Sequence, residues 1–142
     1  MAVAVFDADV LIAYLGRDDA NHDEAVARIR RTLEPGARRL ISVVNYSEVL
    51  IGPLRRGGAR AADVVDSMLG DLGIETVPVD RALARRAAEV RVQMGLTLPD
   101  AYALATALSA RLKTGREVRL ESFDAKVVKA YAALGSPSPD AP

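Results

Sequence analysis

Asp7, Glu48, Asp100 and Asp124 share one kind of setting: each stands where an apolar segment meets the start of a helical pattern. Asp7 closes AVAVF, Glu48 follows LISVV in the first turn of the next helix, Asp100 lies in the first turn of a helix that begins at Pro99, and Asp124 follows EVRLE. A further acid, Asp9, stands two residues beyond Asp7. Carboxylates crowded into a low-dielectric setting repel one another, and some must protonate unless a cation compensates them. A hard divalent ion such as Mg2+ or Mn2+ does this with oxygen ligands and keeps several waters. No imidazole or thiol accompanies the acids, which argues against zinc. Such a cation polarises a phosphoryl oxygen and lowers the pKa of a water, so the chemistry that suits this set is phosphodiester hydrolysis without a side-chain nucleophile. A plainer reading stands beside it. Acids at helix N-termini cap free N–H groups and suit the helix dipole. Asn45-Tyr46-Ser47-Glu48 fits a capping-box variant with Asn45 as the cap, and Asp124 fits a simple N-cap.

The acids can meet only if the chain brings strand ends together. Residues 2–6, 40–44, 74–79 and 117–121 read as short strands, and the apolar runs of the first two suit burial on both faces. Pro78 marks the third as an edge strand or a strand end. Helical patterns separate them. VLIAYL follows Asp7. Ala25, Val26, Ile29 and Leu33 lie behind a cap at Asp18 or Asp19, with a stop at Pro35-Gly36. Asn45 starts a helix that breaks at Gly57-Gly58. Further helices cover residues 59–72 and 80–94, then run from Pro99 to Leu112 and onward from Asp124. This alternation predicts an α/β fold with a parallel sheet covered by helices. Strand C-terminal ends and the following helix N-termini then share one edge, where such folds bind ligands. Asp100 joins that edge through its helix alone, since it follows no strand directly.

The 142 residues suit one compact domain, read as residues 1–134, with residues 135–142 as a flexible C-terminal tail. Zero formal net charge means that no global positive field marks a nucleic-acid binder, so any such surface has to be local. The absence of cysteine excludes disulfides, thiolate catalysis and Cys-based zinc sites, and fits a reducing cytoplasm, the expected location. The first fifteen residues carry Asp7 and Asp9 and no positive n-region, unlike a signal peptide. No run is long and apolar enough to span a bilayer, so no membrane partner is expected.

Four stretches in order resemble the motifs of PIN-domain nucleases, and specifically VapC-like toxins of type II toxin–antitoxin pairs: VFDADVLIAYL with Asp7, ISVVNYSEVLIG with Glu48, LPDAYALATAL with Asp100, and LESFDAKV with Asp124 after Ser122. They span residues 3–128. The resemblance implies a three-layer α/β/α sandwich around a parallel sheet of four to five strands. It implies an endoribonuclease dependent on Mg2+ or Mn2+, in which Asp7, Glu48, Asp100 and Asp124 hold the metal and position the attacking water. It also implies a homodimer, inhibition by a small antitoxin whose C-terminal segment enters the acidic groove, and a structured RNA substrate such as tRNA or ribosomal RNA. Two features depart from the pattern. Asp9 occupies a position that is often Ser, Thr or Asn in relatives, so it and Ser122 are secondary candidates for the site, with Asp9 alternatively capping a helix from Val10. The closing strand of the family has no counterpart in SPSPDAP.

Other residues carry weaker signals. Arg55, Arg56 and Arg60 flank Gly57-Gly58, where cations suit a helix C-terminus or contact RNA phosphates. Arg17, Lys113, Arg116 and Lys126 extend such a patch if the fold brings them round the acidic edge. The scarcity of aromatics favours recognition of RNA through backbone charge and shape over base stacking. His22, flanked by Asn21, Asp23 and Glu24, reads as a solvated surface residue. Two rival functions are a PIN-like binding module without catalysis and a haloacid-dehalogenase-like phosphatase. In the second, Asp7 of FDADV would be the nucleophile and Asp9 the general acid. That family follows its second Asp with Gly-Thr-Leu or similar, whereas Val10-Leu11-Ile12 follows here, and no late acid pair completes the set.

Overall fold

The computed structural model describes residues 2–135. In chain order these form β1 (Val3–Phe6), α1 (Ala8–Leu15), α2 (His22–Arg31), β2 (Arg38–Ser42), α3 (Val43–Asp71), β3 (Ile74–Val77), α4 (Arg81–Met94), α5 (Leu98–Thr114), β4 (Val118–Glu121) and α6 (Ala125–Gly135). The sheet order is β3-β2-β1-β4, and every pairing is parallel. Phe6 is in register with Ile41 on one side and Glu121 on the other, so β1, β2 and β4 end close to one line.

The apolar pattern of β1 explains the layers. Alternate side chains point to opposite faces of a strand. Ala4 and Phe6 enter a core with Val10 and Leu11 of α1, Ile29 of α2 and Val49 and Val65 of α3. Val3 and Val5 pack on the opposite face with Ala107 and Ala110 of α5 and Val118 of β4. Helices α4 and α6 complete that second layer around α5. The result is the expected three-layer α/β/α sandwich with a four-stranded parallel sheet. Burying Phe6, Leu11, Ile29, Ile41 and Leu104 fully contributes about 1.5–3 kcal/mol for each side chain.

The topology selects one end of the sheet. From β1 the chain moves to β2 and β3 on one side, then returns to β4 on the other. The switch point therefore lies between the C-terminal ends of β1 and β4, where an open α/β sheet forms its crevice. Asp7 and Ser122 follow those two strand ends directly.

Several boundaries differ from the sequence reading. β2 ends at Ser42, and α3 starts at once because the Ser42 hydroxyl accepts from the Val44 N–H. Asn45 is therefore inside the helix and fully buried, not its cap, and Glu48 falls in the second turn. Helix α1 begins at Ala8 with Asp7 as its cap, so Asp9 lies within the first turn and does not precede the helix. Helix α2 begins at His22 behind Asn21, while the Asp19 side chain caps only the turn before it, through the Asn21 N–H. Thr97 caps α5, and Pro99 is its second residue. The break at Gly57-Gly58 is a sharp kink within α3. Gly58 has φ 64 and ψ −153, a region that only glycine adopts freely. The two arms meet where the Tyr46 hydroxyl donates to Asp66. The C-terminal tail and the question of a closing strand lie outside the described residues beyond Gly135. No helix among the described residues is long and apolar enough to cross a membrane.

Candidate active site at the C-terminal edge of the sheet

Asp7 delivers its carboxylate to the edge at the end of a fully buried strand and is itself 4% exposed. Oδ1 accepts from the Ala8 N–H at 2.8 Å, and Oδ2 accepts from the Ser122 hydroxyl at 2.9 Å. Asp9 reaches the same place from the first turn of α1. Its Oδ2 accepts from the Phe123 N–H at 2.9 Å and lies 3.4 Å from Ser122 Oγ. Its Oδ1 is buried and has no hydrogen-bond partner. Ser122, nearly fully buried, thus stands between the two acids, and its Oγ also accepts from the Asp124 N–H at 3.1 Å. Asp124 is exposed and caps α6, accepting at Oδ1 from the Lys126 N–H at 2.8 Å and the Val127 N–H at 3.4 Å.

A second cluster comes from α3 and α5. The Asn45 side-chain amide donates to Glu48 Oε1 and to the Pro99 carbonyl, each at 3.0 Å. One buried amide therefore ties the Glu48 carboxylate to the first turn of α5, next to Asp100. Thr97 holds the start of that turn through its hydroxyl, which accepts from the Asp100 N–H at 3.4 Å. Helices that return antiparallel to the strands place their N-termini at the strands' C-terminal edge, which explains how Asp100 joins the site without a strand of its own.

The carboxylates act on one another. Burial first, then the neighbouring Asp9 charge, push the Asp7 carboxyl up from 3.8 to about 7, with Asp100 adding to the rise. Burial also raises Asp9, Glu48 and Asp100. Asp100 contributes to the rise at Asp9 and Glu48, and is itself pushed up by Asp124. The four sequence motifs thus supply one electrostatically connected set, with Asp9 as a fifth member. Lys126 opposes the trend at Asp100 alone. Among the described residues, no ion pair joins Lys or Arg to Asp7, Asp9, Glu48 or Asp100.

This donor set suits a hard divalent cation: oxygen ligands, net negative charge and a buried Asp9 oxygen without a partner. Among the described residues no three acidic or histidine side chains converge as a ready-made ligand cage. Mg2+ binds through one or two carboxylates plus waters and does not need such a cage.

The remaining candidates divide. Lys126 belongs to the edge, with Nζ donating to the Gly95 carbonyl at 3.3 Å. Arg17, Arg55 and Arg56 are exposed. The Arg56 guanidinium folds back over Gly52, and no contact links these arginines to the acids. His22 is half-buried, with Nδ1 2.9 Å from the Ala13 carbonyl, so it joins α2 to α1 and is not simply solvated. The sequence reading missed the tying role of Asn45. Its only signal was an amide three residues before Glu48, which the capping motif explained equally well.

A model of the PIN-domain family matches residues 4–134. Among solved structures, Mycobacterium tuberculosis VapC20, a toxin that cleaves the sarcin–ricin loop, aligns with a TM-score of 0.68 at 22% identity, over 89% of this chain and 94% of its own. VapBC-1 from nontypeable Haemophilus influenzae aligns with a TM-score of 0.67 at 13% identity, over 92% of this chain and 93% of that one. A toxin–antitoxin complex from Klebsiella pneumoniae reaches 26% identity with a TM-score of 0.60, over 81% and 82% respectively. No curated protein is a significant sequence match.

Proposed function

The chain belongs to the PIN-domain family, and from that premise we propose that it is an endoribonuclease dependent on Mg2+ or Mn2+, the toxin of a toxin–antitoxin pair. The observation that carries the reading is the acidic edge itself. Four carboxyls, Asp7, Asp9, Glu48 and Asp100, are raised first by burial and then by the charges of Asp9, Asp100 or Asp124, and none of the four has a Lys or Arg ion pair among the described residues. Capping explains part of Asp7, all of the contacts of Asp124 and the place of Asp100 in the first turn behind Thr97, but not Glu48 or the unpartnered oxygen of Asp9.

In this reading residues 1–134 are one nuclease domain, and Asp7, Glu48, Asp100 and Asp124 hold the cation. The cation, when bound, supplies charge to a phosphoryl oxygen and lowers the pKa of a water for in-line attack. The chain's own part is orientation. Ser122 and Ala8 fix both Asp7 oxygens, Phe123 fixes one Asp9 oxygen and leaves the other free, and Asn45 turns Glu48 toward the N-terminus of α5. Lys126 lies beside Asp100 and suits a phosphate of the substrate, whereas Arg17, Arg55 and Arg56 would contact RNA further out. The toxin role, a small antitoxin partner, a homodimer, a tRNA or ribosomal RNA substrate and a cytoplasmic location rest on likeness to relatives. Several structural neighbours are toxin–antitoxin assemblies, and one cleaves the sarcin–ricin loop. The phosphatase alternative gains no support, because the family model that matches residues 4–134 is that of the PIN domain.

The test is incubation of purified protein with structured RNA in Mg2+ or Mn2+, and again with excess EDTA. Cleavage that EDTA abolishes supports the nuclease. Intact RNA with every divalent ion supports a binding module instead.

A further inference from the structure

The segment that leaves β4 holds both Asp7 and Asp9, and it is fixed from outside the site. Arg28 of α2 donates from Nη1 to the Ser122 carbonyl at 2.8 Å, 94 residues away in sequence. Its guanidinium lies over the Phe123 ring, 4.6 Å from the centroid. The same nitrogen stands 3.7 Å from Glu121 Oε2, and Nε donates to Glu24 at 3.1 Å. Arg28 therefore contacts three consecutive residues, Glu121, Ser122 and Phe123. The next atoms along this chain of contacts are the Ser122 hydroxyl on Asp7 Oδ2 and the Phe123 N–H on Asp9 Oδ2. A planar guanidinium can grip a carbonyl, a ring face and a carboxylate together, which a lysine ammonium cannot.

We propose that Arg28 is a positioning residue: by clamping residues 121–123 it sets the two donors that orient Asp7 and Asp9, and so prepares the site for its divalent cation. This rests on the metal-site reading above. Arg28 forms no ion pair with those acids, so its action runs through the backbone and not through direct neutralisation. The sign of one measurement separates the two. A nearby positive charge repels a cation, so if Arg28 acted only as charge, removing it would strengthen metal binding. If it acts by position, removing it weakens binding. Outer partners of metal ligands typically control affinity by 10–100-fold, and Arg28 stands one contact further out, so the expected loss is about tenfold.

The experiment compares wild type with Arg28→Met, which keeps the apolar stem, and Arg28→Lys, which keeps the charge. Mn2+ affinity is measured by titration calorimetry at a temperature where circular dichroism shows all three folded. Hydrogen exchange of the Phe123 amide is measured in the metal-free proteins, with Ile41 as a core reference. The proposal expects about tenfold weaker Mn2+ binding in both variants. It also expects about tenfold faster exchange at Phe123 with Ile41 unchanged, since the amide's carboxylate partner is loosened locally. Unchanged affinity with lower thermal stability would make Arg28 a structural residue only, and tighter binding in Arg28→Met with wild-type affinity in Arg28→Lys would make it a charge only; either overturns the proposal. If wild type binds no Mn2+, the metal-site reading fails, and the exchange data still decide whether Arg28 holds the Phe123 donor.

Discussion

Replacing Asp7 by Asn removes a charge without changing side-chain shape, and the structure gives the direction and size of the response. In the metal-free protein the Asp7 carboxyl is raised from 3.8 to about 7, mainly by burial and then by Asp9. The folded state thus binds this proton more tightly than the unfolded state. Stability contributed by the group is fullest below pH 4, falls as the pH rises from about 4 to about 7, and is flat above that range. A tenfold change in proton affinity is worth about 1.36 kcal/mol, so the ionised group costs the fold about 4 kcal/mol at pH 8. Asn resembles the protonated acid and remains a good helix cap. Its oxygen can still accept from the Ala8 N–H, and its amide can donate to Ser122 Oγ. The Ser122 proton is then released toward Asp9 Oδ2, 3.4 Å away. With allowance for imperfect amide geometry, Asp7→Asn should gain about 1–3 kcal/mol at pH 8 in a chelator, and close to nothing at pH 4. Urea unfolding at both pH values reads this directly. Saturating Mg2+ should reverse the order, because a ligand that binds only the folded wild type stabilises it. An Asn variant less stable than wild type at pH 8 without metal, or a gain that does not vary with pH, would refute the picture of an uncompensated buried acid.

Three further outcomes are expected. Gly58→Ala places a side chain at φ 64 and ψ −153 and should cost about 1–3 kcal/mol in thermal or urea unfolding, although a Cβ there has open space. Asn45→Ala leaves the Pro99 carbonyl and Glu48 without their shared donor; it should lower stability by about 1–3 kcal/mol and weaken Mn2+ binding as well, measured by unfolding and calorimetry. Expression of the chain alone in a bacterial host should arrest growth, co-expression of a small antitoxin encoded beside it should restore growth, and Asp100→Asn should be tolerated without it, as growth curves would record.

Much of the fold was legible because the core of this sheet is written in continuous apolar runs. VAVF of β1 is buried on both faces, and the strand–helix alternation follows from such runs. What the sequence could not give was the local competition at helix starts. Ser42 and Asn45 are both good caps, and only tertiary packing decides that Ser42 takes the role and frees Asn45 to join two helices. The candidate acids were readable as a set because Asp7 and Asp124 stand at helix starts beside strand ends and Asp100 lies in the first turn of its helix, whereas Glu48 sits one turn deeper than its motif suggests. Ser122 was readable through its place before Asp124, but its position between Asp7 and Asp9 depends on β4 lying beside β1. Arg28 left no local trace: an arginine four residues after a glutamate on an amphipathic helix looks like an ordinary surface pair, and its three contacts near the site come from the opposite end of the chain.

The most direct test of the central claim is cleavage of a structured RNA in Mn2+ by wild type and by Asp100→Asn, at matched concentration and with both proteins shown to be folded. Asp100 contributes to the raised carboxyls of Asp7, Asp9 and Glu48 while remaining only half-buried, so its loss should spare the fold and weaken the hold on the cation. The account predicts cleavage by wild type and a rate lower by about 100-fold or more in the variant, beyond the range for an outer partner of a metal ligand. Equal rates in the two proteins would contradict it.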